Sequence, residues 1–367
     1  MIKKLALIIG VLLCLSSCGK DVAYQIEGKL SHLEDQTLYA VFEKDDYKLV
    51  DTITCEKPGH FELKQLEGGF NCVTLFFENK ERWVTLYLEE GVNITVSGDA
   101  RYPLLLQIKG GKTNDKLSDI RKEVAPLFKE LSDLSDQLNN EAGSNTIEET
   151  DIASRMANVN LQLSEYAMAY IKEHPDEEAS VVLIQLFFSD PDDTRKMDEL
   201  LALIDPQLKS FYLTRELEQY SARAKRTMLG AEAPDFTVKD IYGKSISLDS
   251  FPKKYLLLAF TAPWCDMCQT EDLLLDQVAM QYPKEKLDIL LVSLDDNSGE
   301  VRKVLQKDSI AWNLITDSAG QATQLIDLYN VNALPRCFLI DEEGKIIMKT
   351  ENGVEIKQTL ETLFDNE

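Results

Sequence analysis

A short apolar run that leads directly into two cysteines is the feature that most constrains the fold of this chain. Residues 255–261 read Tyr-Leu-Leu-Leu-Ala-Phe-Thr, as a strand buried on both faces should. Cys265 and Cys268 follow after a brief turn, and segment 266–281 has a helical pattern. The first sulfur is therefore expected at a helix N-terminus and the second one turn inside the helix. This context gives the Cys-x-x-Cys spacing a redox meaning.

The expected position of Cys265 predicts its chemistry. Unpaired backbone N–H groups and the helix dipole favour an anion at a helix N-terminus. We therefore expect a lowered pKa for the Cys265 thiol, which attacks as a thiolate. Cys268 then resolves the mixed disulfide and releases the partner in its reduced form. Asp266 opposes thiolate formation by about 1 kcal/mol if exposed at about 4 Å, comparable to the dipole effect, so we expect a relatively reducing couple.

The rest of the last third completes an α/β pattern. The pattern predicts a second buried strand over 287–294 and a second helix over 298–308. Two further strands, 337–341 and 346–348, are joined by a Glu-Glu-Gly-Lys turn and are followed by a helix over 354–364. A βαβ unit followed by a hairpin and a final helix predicts a central mixed β-sheet flanked by helices.

Several ordered motifs resemble those of the TlpA/ResA-type thioredoxins, within the AhpC/TSA superfamily. They are Ala-Pro-Trp-Cys-Asp-Met-Cys over 262–268, Ala-Pro-Asp-Phe over 233–236, and Tyr-Asn-Val-Asn-Ala-Leu-Pro over 329–335. The resemblance covers roughly 230–364. It implies a thioredoxin-like fold and a thiol–disulfide oxidoreductase that needs no bound cofactor. Its substrates would be disulfide-containing proteins or peptides, with reducing equivalents supplied by a membrane redox partner.

The same resemblance implies roles for residues around the cysteines. Pro335 would be cis and would lie against the cysteine motif, where its backbone pairs with a substrate peptide, and Trp264 would cover the thiol. Many thioredoxins place a buried acid where Ala259 stands, so Glu271 could substitute as the proton carrier. Cys337 is either a small buried hydrophobe or a third thiol that pairs with Cys265 or helps bind a soft metal.

The N-terminus has the order of a lipoprotein signal. A basic head, Met-Ile-Lys-Lys, precedes an apolar run over 5–15 that is too short to span a bilayer. Leu-Ser-Ser-Cys over 15–18 resembles a bacterial lipobox. By that resemblance residues 1–17 are a signal peptide and Cys18 carries the lipid. We therefore expect a lipid-anchored protein of the cell envelope, with its thioredoxin domain on the periplasmic side or the cell surface.

Two further segments lie between the signal and the redox domain. Residues 22–109 contain six or seven short β-rich runs with turn residues between them, which predict an antiparallel sandwich or barrel. This segment resembles an uncharacterised N-terminal domain of Bacteroidota lipoproteins, with no known catalytic residue. Residues 113–229 have helical periodicity, which predicts an α-helical domain. The resemblance to thioredoxins implies that 230–367 are the thioredoxin-like domain. Cys55 and Cys72 lie in neighbouring predicted strands of the first segment, where a disulfide is an open possibility.

Charge and motif spacing limit the other functions. The net charge of −24 and the absence of a basic stripe exclude nucleic acid as an expected partner. A peroxiredoxin-type Pro-x-x-x-Thr/Ser-x-x-Cys pattern ends at neither Cys265 nor Cys268, which disfavours a peroxidase. Two alternatives stay open: a copper chaperone that uses the cysteines, and a lipoprotein whose residues 22–229 bind a partner. All three histidines lie outside the redox domain, so a familiar Cys/His metal site is not expected.

Overall fold

A computed structural model describes residues 22–45, 47–141, 146–295 and 313–364 of the chain. These residues form two compact units. The first extends to Ala167 and includes Glu177–Ala179, and the second combines Met168–Asp176 with the chain from Ser180 onward. The proposed signal, Cys18 and the predicted helix over 298–308 lie outside the described residues. Within the described ranges, no helix has the length and apolar character needed to cross a membrane.

The first unit contains a β-sandwich. Its strands are β1 (Tyr24–Ser31), β2 (Thr37–Lys44), β3 (Tyr47–Thr54), β4 (His60–Gln65), β5 (Cys72–Phe77), β6 (Arg82–Tyr87), β7 (Asn93–Asp99) and β8 (Gln107–Lys109). They form two four-stranded sheets, ordered β4-β1-β7-β8 and β3-β2-β5-β6. Alternate residues such as Ile26 and Phe42 point into one core shared by the two sheets. All neighbours are antiparallel except β1 and β7, which run parallel.

Gly28 in β1 allows the close approach of an aromatic ring. It pairs with Phe61 of β4. A Cβ atom at residue 28 would come within 1.9 Å of that ring. The glycine therefore leaves the space that Phe61 fills in the sandwich core, where only 6% of Phe61 is exposed.

The middle of the chain is helical. Its helices are α1 (Lys112–Glu123), α2 (Ala125–Glu141), α3 (Thr146–Glu173), α4 (Glu178–Phe188), α5 (Arg195–Leu201) and α6 (Tyr212–Ala224). Between α1 and α2 the helix is broken at Val124, whose ψ is 16°. Pro126 has no N–H to continue the hydrogen bonds of α1 across this point. The break brings Phe128 rather than Leu127 into the buried position.

The second unit contains a five-stranded mixed sheet. Its elements are β9 (Thr237–Lys239), β10 (Ser245–Ser247), β11 (Tyr255–Thr261), α7 (Asp266–Gln281), β12 (Leu287–Ser293), β13 (Asn313–Thr316), α8 (Gln321–Tyr329), β14 (Arg336–Ile340), β15 (Ile346–Thr350) and α9 (Gly353–Phe364). The sheet order is β13-β12-β11-β14-β15, and β9 and β10 form a separate hairpin. β14 runs antiparallel to both its neighbours.

The central strand β11 is buried on both faces. Leu258 and Phe260 belong to one apolar cluster, whereas Leu257 and Ala259 belong to a second cluster with residues of α7 and α9. Such two-sided burial explains why residues 255–261 are apolar without alternation. The cysteine motif therefore lies where β11 passes into α7, and both of these elements are packed in the core.

Candidate active site

Cys265 and Cys268 lie where β11 passes into α7. Cys265 is the N-cap of the helix, and its Sγ accepts a hydrogen bond from the backbone N–H of Cys268 at 3.2 Å. The turn is closed by a hydrogen bond from the Cys265 N–H to the Ala262 carbonyl at 3.1 Å. The two sulfurs are joined in a disulfide, with Cα atoms 5.2 Å apart. The arrangement therefore contains the oxidised form of a dithiol at a helix N-terminus.

The two sulfurs differ in their access to solvent. Cys265 is half-buried, whereas only 1% of Cys268 is exposed. Trp264 and Met267, which flank Cys265 in the chain, are both exposed. Of the two cysteines, Cys265 is therefore the one that a molecule in solvent can reach.

The loop before β14 contains a cis peptide bond between Leu334 and Pro335. Arg336 of β14 pairs with Phe260 of β11. Because the two strands are antiparallel, the start of β14 and the end of β11 meet at the same edge of the sheet. Pro335 and the cysteine turn therefore leave the sheet at that edge, with Pro335 buried.

Tyr329 lies in the core just before this loop. It is fully buried at the end of α8, and its hydroxyl donates a hydrogen bond to the Pro234 carbonyl at 2.8 Å. Burial raises the pKa of Tyr329 well above its usual range, and the charge of Asp235 adds to this effect. Asn330 follows in a left-handed conformation with φ of 50°, which ends the helix and starts the loop.

Cys337 lies two residues beyond the cis bond and is buried. It pairs with Ala259 and belongs to the cluster that α7 and α9 cover. The third thiol and the alanine in the expected place of an acid are thus neighbours on the sheet face beneath the helix that contains Cys268. Among the described residues, no three His, Cys, Asp or Glu side chains are grouped to hold a metal ion.

Two further predictions concern Glu271 and a disulfide between Cys55 and Cys72. Glu271 is part of α7, but its side chain, like that of Asp266, lies outside what the structure describes. Cys55 follows β3 and is a half-buried free thiol, so it forms no disulfide with Cys72 in the described part of the chain. Burial raises the pKa of the Cys55 thiol.

Charged residues near the cis bond were not anticipated. Arg336 starts β14 directly after Pro335, and Lys349 of β15 pairs with Phe338. Both side chains are buried and both contact Asp192, which lies between α4 and α5. The sequence does indicate a buried ion pair here, since Arg336 begins an otherwise apolar strand and a buried cation requires a partner.

Comparisons with known proteins agree with this geometry. Residues 229–349 match the AhpC/TSA family, and residues 24–117 match a domain of unknown function, DUF4369. The chain is 30% identical over 142 residues to the thiol-disulfide oxidoreductase ResA of Bacillus cereus, covering 39% of this chain and 80% of that protein. It is also 30% identical over 138 residues to ResA of Geobacillus thermodenitrificans, covering 37% and 78%.

Among solved structures, a thiol:disulfide interchange protein from Bacteroides sp. is 28% identical, with a TM-score of 0.35. The match covers 38% of this chain and 92% of that one. A thioredoxin-like protein from Bacteroides caccae covers more of this chain, 60%, at 18% identity and a TM-score of 0.42.

Proposed function

Because the chain belongs to the ResA-like thiol-disulfide oxidoreductases, we propose that Cys265 and Cys268 reduce disulfides of proteins or peptides outside the cytoplasm. The observation that carries this proposal is the difference between the two sulfurs. One caps a helix and is open to a partner, and the other is buried one turn inside. This division fits a nucleophile and a resolving thiol.

The exchange proceeds in two balanced steps. The thiolate of reduced Cys265 attacks one substrate sulfur, and the substrate disulfide breaks as a mixed disulfide forms. The leaving sulfur takes a proton from solvent or an acid. Cys268, as its thiolate, then attacks the Cys265 sulfur, closing the disulfide and releasing the second substrate thiolate. Two electrons pass from the dithiol to the substrate, and a membrane redox partner restores the dithiol.

Other residues complete the proposed site. The backbone around Pro335 pairs with the substrate peptide, and Trp264 shields the attacking sulfur. Glu271 carries the proton of Cys268, since Ala259 leaves no acid on the strand beneath. No cofactor takes part in this scheme, because both electrons reside in the sulfur pair.

The proposed setting is the cell envelope. A signal over 1–17 is removed and Cys18 receives the lipid, so that the protein is anchored to a membrane with its thioredoxin domain outside the cytoplasm. The proposed domains are a β-sandwich over 22–109, a helical segment over 113–229 and the redox domain over 230–367.

The reduction potential of the cysteine pair tests the function. The protein is equilibrated with glutathione or dithiothreitol buffers, and its free thiols are counted by mass-tagging. A potential near about −270 mV or lower supports a reductase, whereas one near about −120 mV indicates a disulfide donor. The variant Cys268→Ser should accumulate mixed disulfides with its substrates, and Cys265→Ser should not. Failure of Cys268→Ser to trap any partner would contradict the proposed mechanism.

A further inference from the structure

Two buried cations lie on the strands that follow the cis-proline loop. Only 6% of the Arg336 side chain and 2% of the Lys349 side chain are exposed. Arg336 is the residue next to Pro335, and Lys349 lies on the neighbouring strand with its Nζ 6.0 Å from the ring centre of Phe338. Two positive charges are therefore buried at the base of the proposed substrate loop.

One carboxylate contacts both cations. Asp192 Oδ1 lies 2.7 Å from Lys349 Nζ and 3.5 Å from a terminal nitrogen of Arg336. The Pro191 carbonyl accepts a second hydrogen bond from Lys349 at 3.0 Å. Arg336 also lies 3.4 Å from Glu351. The connection between α4 and α5 thus supplies the atoms that hold the two cations from one side.

The connection itself is held by local hydrogen bonds. The N–H of Asp192 donates to Asp190 Oδ1 at 2.7 Å, and the Tyr220 hydroxyl of α6 donates to the Ser189 carbonyl at 3.4 Å. Asp192 is therefore presented by a turn that α6 supports. Its neighbour Asp193 instead pairs with Arg195, which is on the surface.

Arg336 is less well paired than Lys349. Arg336 Nε is buried and has no hydrogen-bond partner among the described residues, and its two ion pairs are long. Buried ions are tolerated only when they are paired, and removing one partner is strongly destabilising. Without Asp192, Lys349 would keep its hydrogen bond to the Pro191 carbonyl. Arg336 would keep its ion pair with Glu351, whose carboxylate is half exposed. Arg336, the residue next to Pro335, would then lose its contact with the connection between α4 and α5.

We propose that Asp192 is a positioning residue that holds the cis-proline loop in the geometry that pairs with substrate backbone. The helical segment thereby contributes to the affinity for protein disulfides, although it contains none of the reacting atoms. This inference rests on the proposed function. A peptide must align along the Pro335 backbone, whereas a small disulfide needs only access to Cys265. Loss of Asp192 should therefore impair protein substrates selectively.

The test compares Asp192→Asn with Asp193→Asn, a matched change at the next residue in the same turn. Steady-state kinetics use insulin as the protein disulfide and bis(2-hydroxyethyl) disulfide as the small, uncharged one. We expect D192N to raise KM for insulin about tenfold or more while kcat changes little, because a shifted loop loses backbone contacts that bind the peptide equally before and during the reaction. Its activity on the small disulfide and its reduction potential should match those of D193N and the native chain. Asp192→Glu should restore most of the affinity for insulin.

A second readout does not depend on activity. Hydrogen–deuterium exchange of peptides covering residues 330–336 should be faster in D192N than in D193N. If D192N folds poorly, the double variant Asp192→Asn/Lys349→Met removes the unpaired lysine with its partner and should fold while exchange stays fast and KM stays high. Equal exchange in D192N and D193N would overturn the inference, as would an equal loss on both substrates. A native chain that reduces neither disulfide would instead refute the proposed function, while faster exchange in D192N would still establish the structural coupling.

Discussion

Cys337 lies directly opposite Ala259 across the β14–β11 ladder, and both side chains face the cluster covered by α7. The strand that follows the cis-proline loop thus places a thiol beside Ala259, where the resemblance to thioredoxins implied a buried acid. The small size of Ala259 and the burial of Cys337 fit together as packing. Whether the thiol also takes part in exchange is a question that a substitution answers.

We expect Cys337→Ala to lower the free energy of unfolding by about 1 kcal/mol, because a small buried side chain is removed from a packed face. The reduction potential of the Cys265/Cys268 pair should stay the same. Urea unfolding and glutathione equilibration measure the two quantities. A potential that moves by about 30 mV or more, equivalent to about 1.4 kcal/mol, would instead assign Cys337 a redox role.

The difference in exposure between the active-site sulfurs predicts the order of their modification. In the reduced protein, iodoacetamide should alkylate Cys265 well before Cys268, since Cys268 is buried within the first turn of α7. Time-resolved mass spectrometry of the cysteine peptides follows both reactions. Cys265→Ser provides the control, in which Cys268 should remain slow. Equal rates for the two thiols would contradict the assigned roles.

Asp99 of β7 predicts an acid-dependent contribution to the stability of the sandwich. A hydrogen bond from Arg101 lowers the pKa of Asp99 to about 2. Because the folded pKa lies below the unfolded value, the contribution is present above the ordinary aspartate range and is lost as the pH falls through about 2. Arg101 is 53% exposed, so we expect no more than about 1 kcal/mol at neutral pH.

The measurement for Asp99 is chemical unfolding of Asp99→Asn and the native chain at several pH values. The difference in stability should be largest at neutral pH, shrink as the pH falls through about 2 and vanish below that value. Asp51→Asn, at an exposed position of β3, serves as the control for a change of charge alone. A difference between D99N and the native chain that is as large below pH 2 as at neutral pH would exclude ionisation as its cause.

Tyr329 predicts a dependence at the opposite end of the pH scale. Tyr329→Phe leaves the Pro234 carbonyl without its buried donor, so the free energy of unfolding should fall by about 1–3 kcal/mol. The folded pKa is raised, so the contribution of this proton is fully present below the ordinary tyrosine pKa and is lost as pH rises above it. Thermal unfolding between neutral and alkaline pH should show a smaller decline in Y329F than in the native chain, because other tyrosines with raised pKa values remain in both.

The sequence predicted the helices and strands whose hydrophobic pattern extends over enough neighbouring residues to be recognised. The doubly buried strands, the helix after Cys265 and the closing hairpin with its final helix produce strong sequence patterns, and the thioredoxin-like architecture is confirmed. Short elements were missed. β8 and β13 have too few residues to show a period, and β4 has only Phe61 and Leu63 on its inner face.

The candidate site also has a part that the sequence predicted and a part that it did not. The spacing of Cys265 and Cys268 is a property of four consecutive residues, so the sequence displays it. The contact of Asp192 with Arg336 and Lys349 joins segments far apart in the chain, and nothing in the local pattern around residue 192 shows which cations it meets. Such a pairing follows only from the tertiary fold.

The parallel pairing of β1 with β7 has a consequence for how the sandwich is assembled. β1 occupies an interior place in its sheet, between β4 and β7. β1 therefore keeps one unpaired edge until residues 93–99 dock beside it. Long-range parallel pairing is slow to form. Until β7 docks, the unpaired edge of β1 is open to chaperones or to mispairing with another strand.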